Sequence, residues 1–285
     1  MKPDTAGNAH LDRIERAHLK DPADHSHVIY RYDPPAGLVG LVRRFWIPVW
    51  EVPGGQEAPQ RVLQYPVALM VVTADYARFY GVVPGLSTTT LTGVGWAVGV
   101  MFEPAAGALL AASTMTEWTD RFADLSEVLG ETGTRLTGAV RAAMTGEPQA
   151  EASHRSAMDA YAGMLARYLP IDGEGAVVNA VVSFVEDRPD VTRVAQVCDE
   201  FGMTERALQR LTRRRLGLHP KWLIQRRRLH EAAERLRSGG DLAGVAAELG
   251  YSDQAHFTRD FRTVTAMTPG QFAARFAHPV GPDRD

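Results

Sequence analysis

The chain has 285 residues, of which 45% are hydrophobic and 23% are charged, and its formal net charge is −3. This composition is that of an ordinary globular protein, and the length favours two domains. No apolar run approaches the roughly 20 residues that a membrane-spanning helix needs, and the first residues lack a charged-then-apolar signal pattern. A single cysteine excludes an intrachain disulfide and is typical of a reducing compartment. We therefore expect a cytoplasmic protein without a membrane partner.

Residues 1–26 are polar and contain scattered proline and glycine, which predicts a flexible N-terminal tail. His10, His18, His25 and His27 lie in or beside this tail. Their spacing matches no metal-ligand motif and no cysteine accompanies them, so no metal site is expected.

Residues 27–170 are predicted to form a domain that is rich in β-strands first and helical afterwards. Short segments with many β-branched and aromatic residues, separated by proline and glycine, predict an antiparallel sandwich or small barrel. The predicted strands cover 28–32, 38–52, 61–73, 77–83, 88–93 and 96–103, and the predicted helices cover 104–112, 117–129, 133–144 and 152–168. The last helix is a candidate for dimerisation or domain packing.

Five aromatic residues on the predicted strands are candidates for an effector pocket: Trp46, Trp50, Tyr65, Tyr80 and Trp96. Aromatic residues on alternating strands also commonly form plain core. The glycines in this region match no phosphate-loop pattern, so hairpin turns account for them better. Residues 171–175 are the predicted interdomain linker, followed by a helix at 176–186.

Near the C-terminus, residues 245–262 have the pattern of a helix, a tight turn and a second helix. Val245, Ala246 and Leu249 form an apolar stripe at helical spacing, and Gly250 follows where helices commonly end in a left-handed residue. Ser252 is the predicted N-cap of the next helix. Phe257, Phe261 and Val264 form its apolar stripe, opposite a face with glutamine, threonine and arginine.

A second copy of this pattern lies 48 residues upstream, at 194–211. Gly202 matches Gly250 and Thr204 matches Ser252, whereas Leu208 matches Phe257 at an offset of 49. The change of offset predicts one residue more in the second recognition helix. The buried face of the first recognition helix is predicted to hold Leu208, Leu211, Leu216 and the aliphatic stem of Arg215. An internal repeat of a helix-turn-helix is more specific than a single copy.

Positive charge is concentrated near this repeat. Residues 205–237 hold 11 basic and 3 acidic residues, a net charge of +8. Most charge runs form a solvated helix face. Because this run coincides with a helix-turn-helix, it indicates DNA as a partner.

At these residues the chain resembles the AraC/XylS family of bacterial transcription regulators. The signature Gly-Tyr-Ser-Asp-x-x-His-Phe-x-Arg-x-Phe stands at 250–261, followed by Thr268-Pro269. The resemblance implies a C-terminal all-α domain at 176–278, with two helix-turn-helix units joined by a long helix at 220–236, and a tail at 279–285. Ala266 departs from the family's usual glycine and Thr212 from its usual aromatic residue.

The resemblance also implies an N-terminal half that is a cupin-like barrel followed by dimerising helices. A metal cupin needs histidine ligands on its strands, and 28–103 contains none, so no metal is expected. The stretch 100–110 resembles an uncharacterised N-terminal domain class found in these regulators.

The family places its DNA contacts on the exposed side of each recognition helix, here about 205–215 and 253–264. The base contacts that this implies are Arg206, Gln209, Arg210, Gln254, His256, Thr258 and Arg259. The implied phosphate contacts are Thr204, Arg213, Arg214, Lys221, Ser252 and Arg262.

These observations predict a sequence-specific DNA-binding regulator whose N-terminal domain senses a small molecule, forms a homodimer, or does both. The resemblance also implies a contact with RNA polymerase. Two alternatives stay open: an N-terminal domain used only for dimerisation or partner binding, and an enzyme on the β-rich half. The enzyme alternative has little support, because no GxSxG, HExxH or CxxC motif is present. No cofactor is expected.

Cys198 matches Ala246 in the other copy, which predicts a buried structural thiol. The N-terminal half contains no cysteine, which excludes the methyl-accepting repair proteins that share this DNA-binding domain, because they need reactive cysteines there.

Overall fold

The computed structural model describes residues 17–19, 24–63 and 65–276. The strands in these residues are β1 His27–Tyr32, β2 Val42–Glu51, β3 Ala58–Leu63, β4 Leu69–Thr73, β5 Ala77–Tyr80, β6 Leu86–Leu91, β7 Val94–Phe102 and β8 Phe122–Asp124. The helices are α1 Ala106–Ala111, α2 Leu125–Leu129, α3 Glu131–Met144, α4 Glu151–Leu165, α5 Gly173–Asp187, α6 Val194–Phe201, α7 Glu205–Leu216, α8 Pro220–Arg237, α9 Leu242–Glu248, α10 Gln254–Thr265 and α11 Pro269–Phe276.

The strands form two antiparallel sheets. The larger has the order β1-β2-β7-β4-β5-β8, and the smaller pairs β3 with β6. The predicted β-rich region followed by helices is therefore confirmed, as is the all-α C-terminal region.

Alternation along β2 decides which face of the large sheet is covered. Phe45, Ile47 and Val49 are 0%, 0% and 6% exposed and belong to the core that α3 and α4 cover. Trp46 and Trp50 point to the other face. Their indoles lie over Gly99 and Gly95, where an added Cβ would come within 2.2 and 2.4 Å of the ring atoms. Both positions therefore need glycine for close approach.

The predicted helix at 117–129 is wrong. The chain instead makes a 3-10 turn at Met115–Glu117, the short strand β8, and α2. Asp120 has a left-handed backbone conformation, with φ +57°, which interrupts a right-handed helix. Strand β8 then pairs with β5 at the sheet edge. The predicted strand at 61–73 is likewise divided, between β3 and β4.

Part of the predicted N-terminal tail is packed. His18 forms a bridge with Val62, and the Leu19 amide donates to the Arg61 carbonyl over 2.8 Å. Ala17 and Leu19 are 1% and 4% exposed. Residues 17–19 thus extend the small sheet and are not a flexible tail. The rest of that prediction at 1–16 and 20–23, and the predicted tail at 279–285, lie outside the described residues.

The predicted linker at 171–175 is largely helix. Helix α5 begins at Gly173, and the Asp172 side chain caps it by accepting from the Gly175 amide over 2.6 Å. Ile171 packs against apolar clusters on both sides. A flexible spacer does not separate the two halves at this point.

The C-terminal helices enclose two apolar clusters, one in each helix-turn-helix unit, and α8 contributes to both. Leu208 and Leu223 belong to the first cluster, whereas Leu229 and Phe257 belong to the second. The N-terminal half supplies residues to each of them. It gives Val82 and Ala105 to the first cluster, and Leu63, Tyr65 and Val67 to the second.

Candidate nucleic-acid interface

The first helix-turn-helix consists of α6, a short turn and α7. Helix α6 ends at Gly202, whose φ of +60° is the left-handed conformation that glycine adopts most easily. Thr204 caps α7 by accepting from the Ala207 amide over 3.2 Å. Leu208 and Leu211 then bury one side of α7, and Arg206, Arg210 and Arg213 are exposed on the other.

The second unit consists of α9, a turn with Gly250 at φ +72°, and α10. Asp253 caps α10 by accepting from the His256 amide over 2.7 Å, so the prediction that Ser252 is the cap is wrong. The Ser252 hydroxyl donates to the Asp253 carboxylate and contacts His256 Nδ1. The hydrogen bond from the His256 amide, followed by the one from the Ser252 hydroxyl, stabilises the ionised carboxylate and so lowers the pKa of Asp253.

The residue gained in the second unit lies in the turn. Both recognition helices have 12 residues, so the prediction of a longer second helix is wrong. Thr204 therefore corresponds to Asp253, at an offset of 49, whereas Gly202 and Gly250 keep the offset of 48. The longer turn holds Tyr251, which is 7% exposed and packs against Phe257.

The seven predicted base contacts lie on the side of α7 and α10 opposite the buried stripe, which we call the reading face. Arg206, Arg210, Gln254 and Arg259 are exposed, and the remaining three are half-buried: Gln209, His256 and Thr258. Two of the half-buried residues have partners on their own helix. The Gln209 amide donates to Glu205 over 2.9 Å. His256 lies 3.6 Å from the Asp260 carboxylate, and its ring packs against Tyr251.

The predicted phosphate contacts divide into free and bonded groups. Arg213, Lys221 and Arg262 are exposed. Arg214 forms an ion pair with Glu174 at the start of α5. Thr204 caps α7, and the Ser252 hydroxyl donates a hydrogen bond to Asp253, which caps α10. The structure thus places all six at the surface, with three of them already engaged.

Arg215 lies in the buried side of α7, as predicted, but its guanidinium group is also enclosed. The residue is 8% exposed, and its Nε donates to Glu174 over 2.8 Å while a terminal nitrogen bonds to Asp172. These bonds hold the first recognition helix against α5. The hydrogen bond from Arg215 is the main cause of the lowered pKa of Asp172.

Three arginines of α8 that contribute to the basic run serve the fold instead of the surface. Arg226 pairs with Glu186 over 2.9 Å, and Arg227 donates to the Val191 carbonyl over 3.0 Å. Arg228 donates to the Leu249 carbonyl over 2.9 Å and lies over the Tyr251 ring. The net charge of the run therefore overstates the charge available to DNA. The sequence contained a signal for this structural role, because three consecutive residues of a helix point in different directions and at least one must turn toward the core.

The five predicted effector-pocket residues do not converge on one side of the sheet. Trp46 and Trp50 lie on one face, and Trp96 packs on the opposite face against the core under α3 and α4. Tyr80 stacks 5.5 Å from Phe122 at the edge of the sheet. Tyr65 is 5% exposed, and its ring centroid lies 5.3 Å from that of His230 of α8.

The remaining candidate groups are structural. Cys198 is 9% exposed in the core of the first unit, and burial raises the pKa of its thiol. Within 17–19, 24–63 and 65–276, no three histidine, cysteine or acidic side chains come together as metal ligands. No helix in the described ranges is both long and apolar enough to cross a membrane.

Two family models match the chain. One describes a helix-turn-helix domain and matches residues 197–275. The other describes a domain of unknown function (DUF6597) and matches residues 30–124. The first covers both helix-turn-helix units except the start of α6, and the second covers all eight strands except the start of β1.

Curated relatives match about a third of the chain. The HTH-type transcriptional activator RhaS from Escherichia coli O1:K1 / APEC and from Escherichia coli O45:K1 (strain S88 / ExPEC) is 30% identical over 101 residues in each case. The match covers 35% of this chain and 36% of RhaS, so the chain spans little more than a third of these relatives.

Solved structures of ToxT from Vibrio cholerae are also similar. ToxT from strain O395 gives a TM-score of 0.37 at 12% identity, over 88% of this chain and 97% of ToxT. ToxT from strain SCE256 with a bound unsaturated fatty acid gives 0.37 at 12% identity, over 91% and 99%. At these scores the likeness gives no information about function.

The first family model coincides with the duplicated unit, its capped turns and its exposed cationic helices. Residues 197–275 are therefore a helix-turn-helix domain of AraC type, preceded in this chain by a β-rich domain whose own family has no assigned function.

Proposed function

We propose that this protein is a sequence-specific DNA-binding transcription regulator. The observation that carries the proposal is the pair of recognition helices, each with one buried apolar side and one exposed side of arginine, glutamine and threonine. Side chains of these types match base edges and phosphates in a major groove. The curated relatives, which are transcriptional activators, support the same function.

In the mechanism that we propose, α7 and α10 read two successive segments of the major groove from one side of the duplex, about 34 Å apart. Arg206, Gln209 and Arg210 would contact bases in the first segment. Gln254, His256, Thr258 and Arg259 would do so in the second. Arginine matches the O6 and N7 atoms of guanine, and glutamine matches the N6 and N7 atoms of adenine.

The phosphate backbone would set the position of each helix. Arg213, Lys221 and Arg262 are exposed cations on α7, α8 and α10 and need no rearrangement to bind phosphate. Arg214 would have to leave Glu174 first. Thr204 and Ser252 lie at the amino ends of α7 and α10, where their hydroxyls would be the groups that contact a phosphate.

Selection of bound sequences from a random DNA library tests this function. The full-length protein is used at about 150 mM salt, where non-specific phosphate binding is weak. We expect a motif with two blocks one helical turn apart. One block alone would mean that a single unit reads bases and the other anchors the protein. No enrichment would contradict the proposed function of the chain as it stands.

The other partners stay predictions: a second copy of the chain, a small-molecule effector of the N-terminal half, and RNA polymerase. A cytoplasmic location belongs with them. An inverted or direct repeat of the selected motif would support a dimer. The five candidate effector residues lie in separate places in the fold. Of them, only Trp46 and Trp50 lie on the same face of the large sheet and could belong to one effector site.

A further inference from the structure

The reading face of α7 forms one wall of a groove whose other wall comes from the N-terminal half. The groove has a volume of about 440 Å³. Its lining residues are Thr114, Thr116, Arg206, Gln209, Arg210, Arg213 and Arg214. The two threonines belong to the turn after α1, which lies outside the range of the helix-turn-helix family model.

The turn at 114–116 is fixed against α7 from both sides. Met115 is 1% exposed and packs in the core of the N-terminal half. The Thr119 hydroxyl donates to the Gly217 carbonyl, just beyond α7, over 3.2 Å. A Cβ at Gly217 would come within 2.5 Å of the Met115 carbonyl oxygen, so the two backbones are in close contact. The threonines therefore have a set position relative to the recognition helix.

The chemistry of the groove suits a phosphate group. Four of its lining side chains are guanidinium groups and none is acidic. Of the four, only Arg214 has an ion pair within residues 65–276, with Glu174. The Thr114 and Thr116 hydroxyls lie 2.9 Å apart, so one donates to the other and the second is left to donate to an anion.

The backbone contacts of the turn with α7 lie at the carboxyl end of the helix, beside Gly217, and the two threonine side chains border the groove that also holds Arg206 and Gln209. Recognition helices contact base edges mainly through their amino-terminal residues. A protein surface at the other end of such a helix meets the sugar-phosphate backbone at the border of the groove.

We propose that the turn at 114–116 binds a backbone phosphate of DNA, so that the N-terminal domain is part of the DNA-binding surface. The inference rests on the proposed function, since it requires α7 to bind DNA. Its ligand is the backbone of duplex DNA, and it predicts a contact without sequence preference.

Adding charge at Thr116, which is exposed, tests the proposal in the full-length protein. The dissociation constant of the selected DNA site is measured as a function of salt for the wild type and for Thr116→Arg, Thr116→Glu and Thr134→Arg. Thr134 is also an exposed threonine, on α3, so it controls for the change in net charge. One more neutralised phosphate changes the slope of the logarithm of the association constant against the logarithm of the salt concentration by about −0.9.

We expect Thr116→Arg to bind more tightly than Thr134→Arg at 50 mM salt, with a steeper slope. Its advantage should shrink about threefold by 200 mM salt. Thr116→Glu should bind more weakly on the selected site and on random DNA alike. The double variant Thr114→Ala/Thr116→Ala should lose affinity on both DNAs by a similar factor.

Three results would overturn the inference. Equal slopes for Thr116→Arg and Thr134→Arg would place the turn away from the backbone. Tighter binding by the double alanine variant would mean that the turn obstructs DNA instead of binding it. A wild type without DNA binding would contradict the proposed function itself, and the inference with it.

Discussion

Arginine side chains around the recognition helices have two different roles, and their environment separates them. Arg206, Arg210 and Arg213 are exposed and have no ion pair within residues 65–276. Arg215 and Arg226 are 8% and 3% exposed, and both are bound to carboxylates. Substituting a residue of the first group should therefore change DNA binding, and substituting one of the second should change folding.

For Arg210→Ala we expect a loss of about 1–3 kcal/mol on the selected site and a smaller loss on random DNA, because a bidentate contact to guanine is removed. The measurement is the pair of dissociation constants at one salt concentration. Arg213→Ala is the matched control, since a phosphate contact should weaken binding to both DNAs and lower the salt slope by about 0.9. Equal losses on both DNAs for Arg210→Ala would make Arg210 a phosphate contact instead.

Ala266 ends α10 in a left-handed conformation, with φ +57°, where Gly217 at φ +73° ends α7. A side chain at this backbone conformation is strained, and glycine is not. Ala266→Gly should therefore stabilise the protein by about 1 kcal/mol in urea unfolding. Ala274→Gly, at an exposed position within α11, should destabilise it by about as much. If both variants lose stability, the conformation at 266 is not left-handed in solution.

At the scale of elements, the cap of α10 decides where the second recognition helix begins. Asp253→Ala removes the acceptor for the His256 amide and should lower the thermal unfolding midpoint by about 2–4 °C at pH 7. Asp253→Asn keeps a capping oxygen and should be close to the wild type. Ser252→Ala is the control, and it should have the smaller effect. A larger effect of Ser252→Ala would restore serine as the cap.

The same cap gives a pH dependence whose sign follows from its pKa. Accepting the His256 amide lowers the pKa of Asp253 in the folded protein below that of the unfolded chain. The stabilisation is therefore fully present above about pH 4 and is lost as the pH falls through the folded pKa. The difference in midpoint between the wild type and Asp253→Ala should be constant from pH 5 to 8 and should shrink below pH 4. A difference that grows on acidification would have the wrong sign for this cap.

The duplicated unit was predictable because local rules fix it: apolar stripes, the left-handed glycines Gly202 and Gly250, and the cap at Thr204. The gained residue was assigned to the wrong element, because Ser252 and Asp253 are both capping residue types and sequence alone does not choose between them. The strand β8 was missed because three residues carry too little periodicity, and its pairing with β5 is a tertiary contact. Which face Trp46 or Trp96 takes depends on strand register, which the sequence did not specify.

At the scale of the whole molecule, the two halves are joined more firmly than a linker would allow. Leu63, Tyr65 and Val67 of the N-terminal half lie in the core of the second helix-turn-helix unit. Between the halves, Glu186 of α5 accepts from Arg43 of β2 over 2.8 Å and from Arg226 of α8 over 2.9 Å. The guanidinium group of Arg226 also lies 3.9 Å from the centroid of the Tyr65 ring.

This arrangement predicts that Glu186 contributes more to stability than an ion pair at the surface. Glu186→Ala leaves the Arg226 side chain, which is 4% exposed, without this carboxylate, and removing one partner of a buried pair destabilises by about 3–5 kcal/mol. Glu151→Ala removes the partner of Arg155 in an exposed pair on α4 and should change stability by less than about 0.5 kcal/mol.

Urea unfolding is followed by helix ellipticity and by tryptophan fluorescence, which reports mainly on the N-terminal half. Because the cores are shared, the two signals should coincide in the wild type and in Glu151→Ala. Equal losses for the two variants would mean that the Glu186 bridge adds nothing, and separate transitions in the wild type would mean that the halves unfold independently.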